Sequence, residues 1–169
     1  MRHILYILFL FLKINLIAQD ITIYHDTINK FKIGIPKSWV IAQQPKDSAI
    51  VLVVRLANIN EGGIIPSYGI NIISFPNITL EKFYQSYCRP IDSEKEDHIL
   101  IDEGDYYANE ITYKWLLTKS KSLDFRNLSY YCYKEGKIYQ ISFDAELPGF
   151  LKYEQIFKKV IDTFKLIGW

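Results

Sequence analysis

The 169 residues are 49% hydrophobic and 15% aromatic, with 13 Tyr and 10 Phe, and carry 20 basic against 19 acidic side chains. Such a composition excludes a disordered chain, which would be poorer in aromatic residues and more highly charged. It also offers nucleic acid no basic stripe, since the longest basic cluster is Lys119-Ser120-Lys121.

The N-terminus reads as a secretory signal. Met1-Arg2-His3 is a short positive start, Ile4 to Leu12 is an unbroken apolar run, and Ile14 to Ala18 carry it past Lys13 to a small residue. That order, with cleavage after Ala18, predicts residues 1–18 as a signal peptide and 19–169 as a single exported domain, periplasmic or secreted. A membrane-spanning anchor needs about 20 apolar residues, and Lys13 would fall inside it. Loss of Arg2 and Lys13 leaves 18 basic against 19 acidic side chains. No second long apolar stretch follows, so no membrane span is expected in the mature chain.

Phe31, Ile33 and Ile35 alternate with Lys32 and Gly34 in a strand that Pro36 ends, with Trp39 in the following turn. Ala49 to Leu56 is apolar on both faces, the pattern of a strand covered on both sides. Gly62-Gly63 marks a loop, and Tyr68 to Phe75 is the next strand. Thr79 can cap a helix with Glu81 in its first turn. Leu80, Phe83, Tyr84, Tyr87 and Cys88 then share one face of that helix. Strands are expected from His98 to Glu103 and from Tyr106 to Thr118, on either side of Gly104. Asn127 to Tyr133 and Lys137 to Phe143 flank a Lys134-Glu135-Gly136 turn. A final helix follows Pro148-Gly149, with Tyr153, Ile156, Phe157, Val160, Ile161 and Phe164 at helical spacing and Gly168 at its end. Hairpin-linked strands with two helices argue for an α+β fold built on an antiparallel β-sheet, not for alternating βαβ units.

Three stretches carry a family resemblance. Phe31-Lys32-Ile33-Gly34-Ile35-Pro36-Lys37-Ser38-Trp39 resembles the opening strand, Pro, x, x, Trp signature of PsbP-like proteins. Asn77 to Phe83 resembles the start of their first helix. Tyr133 to Phe143, then Tyr153 to Leu166, is similar to their closing hairpin and helix. The resemblance spans roughly Lys30 to Leu166 and implies the α/β/α sandwich of the PsbP/DcrB superfamily, an antiparallel sheet flanked by helices. It implies non-catalytic roles in binding or assembly, and it transfers no active-site residue.

The residues give no contrary chemistry. His25 and His98 stand beside Asp26 and Asp97, but no CxxC or HExxH spacing suggests a metal, and no G-x-S-x-G elbow suggests a nucleophile. No catalytic residue, cofactor or metal is assigned. Asp92, Glu94, Glu96, Asp97, Asp102, Glu103 and Asp105 lack the calcium-loop pattern and read as solvated. Cys88 and Cys132 are the only cysteines, and in an oxidising compartment they can either pair as a disulfide or stay as buried thiols. Among the tyrosines, Tyr106, Tyr107, Tyr130, Tyr131 and Tyr133 cannot all face inward, because neighbours on a strand point to opposite sides. Tyr106, Tyr107, Tyr131 and Tyr133 are therefore a candidate partner surface, unless helices cover both faces. Two functions fit: a module that binds or assembles with another envelope protein, and a carrier of a small or lipid-like hydrophobic ligand in an aromatic-lined pocket between sheet and helix.

Overall fold

The computed structural model describes residues 20–42, 49–57, 65–89 and 97–168. Residues 1–18, expected to be a signal peptide, lie outside the described residues, as do Gly62-Gly63, Asp92, Glu94 and Glu96.

Among the described residues, ten strands form two sheets, accompanied by two helical segments. The strands are β1 (Ile21–Asp26), β2 (Phe31–Pro36), β3 (Trp39–Ile41), β4 (Ile50–Leu56), β5 (Ser67–Ser74), β6 (His98–Ala108), β7 (Ile111–Ser120), β8 (Phe125–Lys134), β9 (Lys137–Glu146) and β10 (Lys165–Leu166). Helix α1 (Leu80–Phe83) continues as a π-helical turn over Tyr84–Cys88, and α2 covers Leu147–Ile161. The larger sheet runs β3-β4-β5-β9-β8-β7-β6, and a smaller one runs β1-β2-β10. Every pairing is antiparallel. The fold class is the expected α+β arrangement.

Four details depart from the sequence reading. Trp39 opens the short strand β3 instead of lying in a turn. Gly104 sits inside β6, beneath Trp115, where a Cβ would come within 3.0 Å of the indole Nε1; the chain reverses at Asn109-Glu110, where both residues take positive φ. The last helix stops at Ile161, and Lys165 and Leu166 return to pair with β2. A second sheet accompanies the first. The Glu135-Gly136 turn is as expected, with φ of 47° and 74° between Lys134 and Lys137.

Alternation on the large sheet creates two unlike faces. Leu52, Val54, Tyr68, Ile70, Leu128, Tyr130, Cys132, Tyr139, Ile141 and Phe143 build the main core with α2 and the small sheet. Phe143 stacks on Phe150 and Phe157 at 5.4 and 5.1 Å between ring centroids. Each buried aromatic or aliphatic side chain of α2 contributes about 2 kcal/mol. On the opposite face Leu116, Tyr131 and Ile138 pack under Phe83 and Tyr84 of the first helical segment. The Thr79 side chain caps this segment by accepting from the Lys82 amide (3.2 Å), as its sequence predicts.

A three-way tie fixes the small sheet. The Tyr68 hydroxyl donates to the Gly34 carbonyl (2.8 Å), and the Gly34 amide donates to Thr163 Oγ1 (2.6 Å) just beyond α2. A Cβ on Gly34 would stand 2.3 Å from Ile21 Cγ2 and 2.8 Å from Thr163 Oγ1. Gly34→Ala should therefore cost about 1–3 kcal/mol in urea unfolding. Gly69→Ala, whose Cβ would meet only the Leu52 carbonyl at 3.4 Å, should change stability by less than about 1 kcal/mol.

Candidate functional site

The 80–88 helical segment covers only part of its sheet face. Where it ends, a cleft of about 350 Å³ opens over β7, β8 and β9. Its walls include Tyr87, Arg89, His98 and Phe125, and its floor is polar. The floor follows from strand alternation, because Gln140, Ser142 and Asp144 project opposite to Tyr139, Ile141 and Phe143.

Those floor residues hold one another. Asn71 Nδ2 donates to Gln140 Oε1 (3.1 Å), and Gln140 Nε2 donates to the Tyr131 hydroxyl (3.2 Å). Ser129 and Ser142 share a hydrogen bond of 2.8 Å, Ser129 Oγ donates to Asn127 Oδ1 (2.7 Å), and Asn127 Nδ2 donates to Asp144 Oδ1 (2.7 Å). Asn71 Oδ1 is buried without a hydrogen-bond partner. Burial raises the Asp144 carboxyl above its ordinary range, opposed in part by the Asn127 donor and by nearby His98. At the rim, hydroxyl donors on Ser120 and Ser122 hold Asp97 below the usual carboxylate range.

The helix end is fastened by charge. Arg89 pairs with Glu103 at 2.7 Å, and the Tyr84 hydroxyl donates to the same carboxylate at 2.7 Å. Lys114 bridges Glu81 and Asp105 at 2.7 and 2.9 Å. These contacts fix the wall that carries Tyr87, whose ring is 64% exposed yet rests on Phe75 and Phe83. The cleft is thus a preformed, hydrogen-bonding recess with aromatic rims. The serine hydroxyls donate to Asn127 and Asp97 rather than to His98, so no nucleophile and base are paired among the described hydrogen bonds.

The sequence candidates fall elsewhere. Tyr131 is only 6% exposed and lies under the 80–88 segment, which corrects its place in a partner surface. Tyr106 faces the main core and its hydroxyl donates to Asp162. Tyr133 is half-buried, and only Tyr107, 67% exposed on β6, is open. Alternation sends Tyr106 to one face and Tyr107, Tyr131 and Tyr133 to the other, so the four make no single patch. Cys88 and Cys132 are free thiols rather than a disulfide. Cys88 packs with the second-face cluster while Cys132 points into the main core. Burial pushes the Cys88 thiol up to about 12 and raises Cys132 further. Among the described residues no group of three His, Cys, Asp or Glu side chains is placed to hold a metal, and no helix is long and apolar enough to cross a membrane.

The two-layered antiparallel sheet with its pair of helices is the PsbP-like fold. The solution structure of cyanobacterial PsbP from Synechocystis sp. PCC 6803 matches with a TM-score of 0.63 at 14% identity, over 90% of this chain and 95% of that one. LpqN of Mycobacterium tuberculosis, described as involved in cell envelope biogenesis, matches with a TM-score of 0.65 at 9% identity, over 88% and 91%. PA94 of Pseudomonas aeruginosa, a protein of unknown function, gives 0.60 at 12% identity, over 88% and 97%. No protein-family model and no curated protein matches the sequence.

A carboxyl whose folded pKa lies above its unfolded value of about 3.9 favours folding fully below that value and loses its contribution as pH rises through the folded pKa. Asp144→Asn should therefore match the parent protein in acid and become the more stable of the two as pH rises above about 4. Urea midpoints measured across that range check the sign.

Proposed function

We propose that this chain is an exported, non-catalytic PsbP-like binding module of the cell envelope, and that the cleft at the end of the 80–88 segment is its recognition site. Three observations support this reading. The first 18 residues have the order of a secretory signal. The fold is shared with LpqN, itself described as acting in cell envelope biogenesis. The cleft carries the argument, since a hydrogen-bonded polar floor beneath aromatic rims is built to orient a small ligand. The small-ligand reading is favoured over a flat tyrosine surface because Tyr131 is covered and Tyr106 is bonded to Asp162. The occupant differs from the hydrophobic cargo expected from sequence: the Asn127, Ser129, Gln140 and Asp144 floor demands a ligand with hydrogen-bonding groups.

Native mass spectrometry on protein isolated from its own envelope tests the proposal. The parent protein should carry a non-covalent small-molecule adduct that is absent from Asn127→Leu and retained by Tyr107→Ala. Circular dichroism would confirm that both variants fold. Absence of any adduct, or loss confined to Tyr107→Ala, would overturn the cleft assignment.

A further inference from the structure

We propose that the end of the molecule formed by the β1–β2 turn, β10 and the β8–β9 hairpin docks on an anionic lipid bilayer. This rests on a different surface from the cleft and is independent of it.

The small sheet places like charges side by side. In its register Lys32 stands directly opposite Lys165. Directly opposed residues on antiparallel strands project to the same face, and like charges so placed are destabilising. Lys134 likewise faces Lys137 across the β8–β9 hairpin. Lys165 and Lys134 line one surface groove of about 750 Å³, together with Leu80, Ile111, Tyr133 and Leu166. Among the described residues no carboxylate forms an ion pair with Lys32, Lys134, Lys137 or Lys165; the pairs found use Lys37, Arg89, Lys114 and Lys158. Three carboxylates share this end, Asp26 in the β1–β2 turn, Glu110 in the groove and Glu135 in the hairpin turn, against the four lysines Lys32, Lys134, Lys137 and Lys165, which leaves it cationic. A chain with nearly balanced charge has thus gathered unneutralised lysines at one end.

An apolar tip stands beside them. Ile28, 88% exposed, is the most exposed large hydrophobic side chain among the described residues. Its turn is stiff, because the buried Asp26 carboxylate accepts from the Ile28 amide (3.0 Å), the Asn29 amide (2.7 Å) and Asn29 Nδ2 (2.9 Å). The turn abuts the rim of the groove: the Ile167 amide donates to the Lys30 carbonyl (2.9 Å), and Leu166 pairs with Phe31. A rigid protruding isoleucine within a belt of lysines fits a bilayer interface, where lipid phosphates meet the ammonium groups and the acyl boundary takes the isoleucine. An acidic protein would satisfy the lysines but gives no reason for the projecting tip.

Co-sedimentation with vesicles tests this, using the chain from Gln19 onward, which contains every described element. Vesicles of phosphatidylcholine with phosphatidylglycerol should bind the protein, phosphatidylcholine alone should bind it at least about tenfold more weakly, and added salt should reduce the difference. Lys32→Gln with Lys165→Gln should weaken binding by about 30-fold while leaving the melting temperature unchanged or higher, because a repulsive pair is removed. Ile28→Ser should weaken vesicle binding about tenfold without altering retention on heparin, a soluble polyanion. Equal binding to neutral and anionic vesicles would overturn the proposal, as would a lysine double variant that binds like the parent. Insensitivity to Ile28→Ser would also overturn it, in favour of an acidic protein partner.

Discussion

Side-chain alternation along the β8–β9 hairpin is the constraint from which the rest of the architecture follows. Tyr139, Ile141 and Phe143 point one way, and Gln140, Ser142 and Asp144 point the other. A strand slipped by one residue would bury the carboxylate in the aromatic core and expose the phenyl rings, so the register is strongly specified. The two-residue Glu135-Gly136 turn holds it in place. Once that register is set, α2 has one apolar face to cover, and the small sheet closes over the remainder through Phe31, Ile33 and Phe164.

The second face poses a different problem, because its covering helical segment is short. Phe83 and Tyr84 shield Leu116, Tyr131 and Ile138, and beyond Arg89 the same strands turn polar. Burying amides, hydroxyls and a carboxyl costs stability unless they bond one another. Asn127, Ser129, Ser142 and Asp144 bond one another, and Gln140 bonds Asn71 and Tyr131, which offsets much of that cost. Asn71 Oδ1 and the Asp144 carboxyl are the residual strain in this network. An apolar floor would fold more readily, and a site that gives up stability for polarity is where recognition is expected. The ion pairs of Arg89 and Lys114 hold the wall of the recess in place.

Much of this fold was legible because its signals are local. The Thr79 cap, the apolar spacing from Ile156 to Ile161 and the Glu135-Gly136 turn each act through near neighbours. Short strands escaped for the opposite reason: β3 and β10 contain three and two residues, and only their partners define them. Gly104 reads as a turn residue, yet its meaning is the room it leaves for Trp115 on the neighbouring strand. The thiols illustrate the limit best. Cys132 shares a strand face with Leu128 and Tyr130, but which face the Cys88 helix would cover is a property of topology, not of local pattern. The cleft left no motif at all, since its floor is assembled from alternate residues of three strands. Polar residues at every second position of otherwise apolar strands, as in Gln140-x-Ser142-x-Asp144, were the one available signal.

Amide hydrogen exchange on the chain from Gln19 onward measures the central claim directly. If the β8–β9 hairpin anchors both faces, the amides of Ile138 to Phe143 and Leu128 to Cys132 should exchange only through global unfolding. Amides at the free edge of β6 should open at much lower free energy. The amides of β2 should share the slow regime, since Thr163 and Tyr68 tie that strand to the large sheet. Exchange of the β8–β9 amides ahead of those in α2, or a β2 that opens independently of the hairpin, would contradict the account.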